Sequence, residues 1–85
     1  MTTVKLTQSI KVDGIEVSEL TLRRPKVRDR LAVERSNFSD AEKEVNLIAN
    51  LAEIPKDAIE DMDLADYSEV QKALSDFLLA SPQRT

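Results

Sequence analysis

The chain has 85 residues and a net charge of -4, with no cysteine, no histidine and a single glycine. Disulfides are thereby excluded, zinc sites lose their usual ligands, and a glycine-rich phosphate loop has no material to form from. The common Ser–His and Cys–His nucleophile pairs are also ruled out, so the sequence reads as non-enzymatic and without a cofactor or metal.

One domain over residues 1–85 is the expectation from length. The only aromatics are Phe38, Tyr67 and Phe77, so a thin core of aliphatic side chains must suffice. No apolar run approaches the roughly 20 residues that span a bilayer, and no signal-peptide pattern opens the chain. These features fit a soluble cytoplasmic protein with no membrane partner and, given its acidity, little general affinity for nucleic acid.

In VKLTQSIKV, residues 4–12, Val4, Leu6, Ile10 and Val12 alternate onto one face, which predicts a strand. Asp13-Gly14 then predicts a tight hairpin turn, since both central residues need positive φ. Pairing across it sets Val12 against Ile15, Lys11 against Glu16 and Ile10 against Val17. The apolar phase then slips at Leu20 and Leu22. A bulge near Ser18-Glu19 would absorb the slip and pair Gln8 with Leu20 and Leu6 with Leu22.

Pro25 ends the second strand and suits the start of a helix over Lys26–Arg35, with Val27 and Leu31 expected inward. Ser39 and Glu42 form a capping box for a second helix, Asp40 to about Glu53. Pro55 opens a short turn through Ile59. Asp63 is placed to cap a last helix carrying Leu64, Tyr67, Val70, Leu74, Phe77 and Leu78, which Pro82 stops. Residues 1–3 and 81–85 are expected to be loose tails. The order predicts an α+β fold, an N-terminal β-hairpin packed against a small cluster of three to four helices.

Charge is unevenly spread. Residues 23–35 hold Arg23, Arg24, Lys26, Arg28, Arg30 and Arg35 against Asp29 and Glu34, a local +4. After Arg35 the chain carries -7. On a helical wheel the cations divide to the two sides of Val27 and Leu31 rather than converging. This arrangement suits solvated flanks better than a DNA-reading face, although a small DNA-binding regulator using Arg23 to Arg35 is the alternative. Opposite charge at the two ends also permits head-to-tail contact between copies, hence a homo-oligomer. The acidic cluster Glu60, Asp61, Asp63 and Asp66 reads as helix capping rather than a divalent-ion site, because it lacks calcium-loop spacing.

In the second helix Ala41, Val45, Ile48 and Ala52 form a stripe, with Leu47 and Leu51 on one side and Ala49 on the other. Their arc of about 200° exceeds what a core-facing helix needs. Leu47 and Leu51 are therefore candidate partner contacts, with Leu79 outside the main stripe of the last helix. Arg23 and Arg28 are candidate charged contacts beside them.

The run IKVDGIEVSELTLRRPKVRD resembles the N-terminal signature of the phage tail assembly chaperones of Mu-like and related contractile-tailed phages and prophages. The shared features fall on Val12, Asp13, Gly14, Leu20, Leu22, Arg23, Pro25 and Asp29. EVNLIANLAEIPKDAIEDMDLADYSEVQKALSDFL is similar to the later part of the family. One departure is Lys26, where a capping Thr is expected; its loss would cost about 1 kcal/mol. The resemblance implies a non-enzymatic protein that binds the tape measure protein, keeps it soluble and supports tail tube polymerisation. It further implies action in the bacterial host cytoplasm, absence from the mature virion, and in many members a longer frameshifted form.

Overall fold

The computed structural model describes residues 2–80, with side chains described through Asp76. Strands β1 (Thr2–Val12) and β2 (Ile15–Leu22) form an antiparallel hairpin, followed by helices α1 (Val27–Glu34), α2 (Asp40–Ala52), α3 (Lys56–Glu60) and α4 (Leu64–Ala80). This is the α+β architecture expected, a hairpin with four helices. Thr2 and Thr3, expected in a loose tail, instead pair with Leu22 and Thr21. Met1 and residues 81–85 lie outside the described residues.

At the turn, Asp13 (φ 54°) and Gly14 (φ 82°) both take the left-handed conformation. That twist matches the flanking strands. Val12 pairs with Ile15, Lys11 with Glu16 and Ile10 with Val17, as the turn requires.

The phase slip is absorbed elsewhere than expected. Leu20 pairs with Val4 and Leu22 with Thr2, so Leu6, Thr7, Gln8 and Ser9 of β1 stand opposite Ser18 alone. The irregularity is in β1, not at Ser18-Glu19 of β2. Its cause is a side chain from α4. The carboxylate of Asp66 accepts the backbone N–H of Thr7 at 3.0 Å, that of Gln8 at 3.0 Å, and the Thr7 hydroxyl at 3.0 Å. The looped-out amides thus find partners that a regular ladder would have supplied. On the outer face, Lys11 stands opposite Glu16 and Lys5 opposite Glu19, and the Thr3 and Thr21 hydroxyls meet at 3.2 Å.

Helices α2 and α4 begin where the sequence places caps. Ser39 Oγ accepts the Glu42 amide at 3.3 Å, while the Ser39 amide donates to Glu42 Oε1 at 3.2 Å. Asp63 Oδ2 accepts the amides of Ala65 and Asp66 at 3.1 and 3.3 Å. The end of α2 has no glycine to use. Glu53 takes the left-handed conformation itself (φ 58°). The Glu53 and Ile54 amides then bond the carbonyls of Asn50 and Ala49, a Schellman closure.

Helix α4 packs along β1, while α2 packs on β2, α1 and α3. Between them lies a core that includes Ile10, Leu20, Leu22, Ile48, Leu51, Ile59, Val70 and Leu74. A second polar tie crosses it: Glu44 Oε1 of α2 accepts from the Tyr67 hydroxyl and the Gln71 amide of α4, each at 2.7 Å. Burial first, then the Glu44 carboxylate, pushes the Tyr67 phenol well above its ordinary 10.0. Leu64, expected on the core stripe of α4, is 77% exposed, because Asp66 is the residue of this first turn that faces β1. Phe77 and Leu78 have side chains outside those described.

Candidate interaction surface

The basic segment is organised around one buried anion. Asp29 is only 6% exposed, and Arg23 grips it with both terminal nitrogens, at 2.8 and 2.9 Å. The Lys26 amide donates to Asp29 Oδ2 at 2.7 Å. Lys26 supplies no side-chain cap, so Asp29 alone closes this helix start. The Arg23 amide donates to the Leu51 carbonyl at 3.1 Å, fastening the segment to the end of α2. The Arg23 hydrogen bonds, helped by the Lys26 amide and opposed by burial, lower the Asp29 carboxyl to about 2. The Arg23 guanidinium is raised in turn, first by its hydrogen bond to Asp29.

This anchor decides which face of α1 points inward. With Asp29 inward, Pro25 and Val33, each four residues from it, are half-buried, on the side where α1 packs on α2. Val27 and Leu31 consequently face solvent, 76% and 46% exposed. The expectation that they face the core is corrected. A four-residue apolar spacing marked a real stripe, but a bidentate buried ion pair outranked it in setting the helix rotation.

The cations therefore flank an exposed stripe rather than a core edge. Arg28 and Arg35 lie on one side, Lys26 and Arg30 on the other, and all four are exposed. Among the described residues, the ion pairs formed by the basic segment all involve Arg23, with Asp29 and more loosely with Glu53 at 3.8 Å. Arg23 is thus a structural clamp and not a free charged contact. Beside the stripe, Pro25, Lys26, Arg30, Val33, Glu34 and Leu47 line a groove of about 340 Å³ between α1 and α2.

The other proposed contacts separate. Leu47 is half-buried and forms part of that groove. Leu51 is 1% exposed and belongs to the core, which corrects its assignment as a partner contact. The reason is the packing of α2 on β2, pinned by the Arg23 amide on the Leu51 carbonyl, which turns the flank that the sequence left open into the core. Leu79 has a side chain outside those described. Asp13 and Gly14 make the turn, Pro25 and Asp29 set α1, and Ser39 and Glu42 cap α2.

In the acidic cluster, Asp63 caps α4, Asp66 binds β1, and Glu60 lies 3.8 Å from Lys56. Among the described residues no group of acidic side chains is disposed to hold a metal ion. No described helix is long and apolar enough to cross a membrane.

These features define a small α+β module that presents a basic, apolar helix to its surroundings. Residues 3–79 match the family described as "Phage tail assembly chaperone proteins, E, or 41 or 14". The chain belongs to this family of phage tail assembly chaperones, and with that comes a chaperone role in tail assembly and protein partners in that process. No curated protein and no solved structure matches the chain.

Proposed function

We propose that residues 1–85 act as one non-enzymatic domain that binds the tape measure protein of a phage tail, keeps it soluble and supports polymerisation of the tail tube around it. The domain works in the host cytoplasm and leaves before the virion is complete. It associates with further copies of itself and with a longer frameshifted form. The observation that supports this reading is the outward face of α1. Val27 and Leu31 are exposed in a family whose members have assembly partners, and an apolar stripe of that kind is what a partner would cover. A tape measure protein is long, and one that spends time unassembled needs its own apolar stretches covered in the same way.

The test is co-expression with the tape measure protein of the same tail gene cluster. The soluble fraction of the tape measure protein should rise when the chain is present, and the two should co-purify. A tape measure protein equally insoluble with and without the chain would overturn the reading.

A further inference from the structure

Resting on that reading, we infer that the outer face of α1, together with the adjoining groove, docks an amphipathic helix of the chaperoned protein whose apolar stripe is flanked by carboxylates. Three observations converge on this surface. Val27 and Leu31 stand one turn apart and are exposed, which presents a ridge to a partner helix. Beside the ridge, the groove floor of Pro25, Val33 and Leu47 offers a concave apolar seat. The exposed Arg28, Arg35, Lys26 and Arg30 border the stripe on both sides, with Glu34 the only acid among them.

A partner helix is therefore offered apolar contact in the middle and cations at both margins. Its complement is a leucine-type stripe with Glu or Asp along each edge. Duplex DNA would satisfy the cations but leave Val27 and Leu31 uncovered. A second copy fits less well. The acidic corner around Asp61 and Asp63 exposes one large apolar residue, Leu64, against a receiving face that offers two and a groove.

The test uses the full chain, isotope-labelled for NMR, and two designed helical peptides of about 18 residues, long enough to overrun α1 at both ends. Both carry the same leucine stripe, one flanked by Glu and the other by Lys. The Glu-flanked peptide should bind, shift the amides of α1 and Leu47, and weaken steeply with added salt. The Lys-flanked peptide should bind at least about tenfold more weakly. Reversing two exposed cations, Arg28→Glu with Arg30→Glu, should invert that preference, and Leu31→Asp should abolish binding of both peptides. Circular dichroism checks that these surface variants still fold.

Equal affinity for the two peptides, no binding of either, or shifts centred on Leu64 would overturn the inference. So would α1 amides that move with chain concentration alone, which would give the face to a second copy. The solubility assay separates the two levels. A charge-reversed variant that still keeps the tape measure protein soluble sinks the docking face and leaves the chaperone reading standing. A native chain that fails the assay sinks the chaperone reading, whatever the peptides do.

Discussion

Helices α1 and α2 carry the same elementary signal and obey it differently. Each has apolar side chains four residues apart, Val27 and Leu31 in one, Leu47 and Leu51 in the other. In α2 the wide apolar arc turns its centre inward, so that Ile48, Ala49 and Leu51 are buried and Leu47 is left at the margin. In α1 the only buried side chain is charged. Periodicity fixes which residues share a face. It does not fix which face is inside when an ion pair with directional hydrogen bonds competes for the same position.

The sharpest way to break that comparison is to truncate one leucine in each helix. Leu51→Ala should cost about 2–5 kcal/mol, the range for emptying a sealed aliphatic site. Leu31→Ala should stay within about 0.5 kcal/mol, as exposed substitutions do. Urea denaturation of both variants measures the difference. Equal costs would mean that α1 is rotated the other way, with Leu31 inside.

Next in size is the clamp itself. Asp29→Ala removes the partner of Arg23 and the acceptor of the Lys26 amide together. A sealed pair broken this way loses more, but Arg23 retains some access to water, so about 2–3 kcal/mol is expected. The variant should also free α1 to turn Val27 and Leu31 toward α2, visible as loss of peptide binding at the outer face. If stability falls by less than about 0.5 kcal/mol, the clamp does not hold the helix.

Much of this architecture was legible from residues alone. Asp13-Gly14, the Ser39–Glu42 box, Pro55 and Asp63 are local signals, and each acts within a few residues of itself. What stayed hidden is long-range. The β1 irregularity depends on Asp66, nearly sixty residues later, and a carboxylate capping a helix looks the same in sequence as one reaching a strand. Burial of Leu51 depends likewise on the packing of α2 against β2, an element far from it in sequence. One clue was present: Pro25, Asp29 and Val33 share a spacing of four, so a second face existed to compete with Val27 and Leu31. The end of α2 gave no clue, since Glu53 does there what a glycine usually does.

Acid should expose both carboxylate ties at once. Asp29 is lowered to about 2 from an ordinary 3.8, and Asp66 is lowered by the Thr7 and Gln8 amides. In each case the folded state favours the charged form. For Asp29 the stabilisation is complete above about pH 5 and drains away as pH falls through about 2, and Asp66 adds a loss in the same acid direction. Thermal unfolding between pH 5 and pH 2, at fixed salt, should show that slope. Asp29→Asn should flatten it and leave the share due to Asp66. The Tyr67 phenol works in the opposite sense. Its stabilisation holds below pH 10 and declines above it, and Tyr67→Phe should remove the alkaline loss.

The smallest effect expected is a gain. Glu53 pays for its left-handed backbone with crowding between Cβ and its neighbouring carbonyl, a strain glycine escapes. Among the described residues its side chain makes one ion pair, a loose one with Arg23 at 3.8 Å from a carboxylate that is three-quarters exposed, which contributes little. Glu53→Gly should therefore stabilise the chain by about 0.5–1 kcal/mol, even after the added freedom of glycine in the unfolded state. The same substitution sharpens the contrast between the two helices. It should leave α1 untouched, because Arg23 keeps Asp29 and the Leu51 carbonyl. If Glu53→Gly instead lowers stability and weakens peptide binding at the outer face, then Glu53 is a working member of the clamp, and the end of α2 helps to hold α1 with its stripe outward.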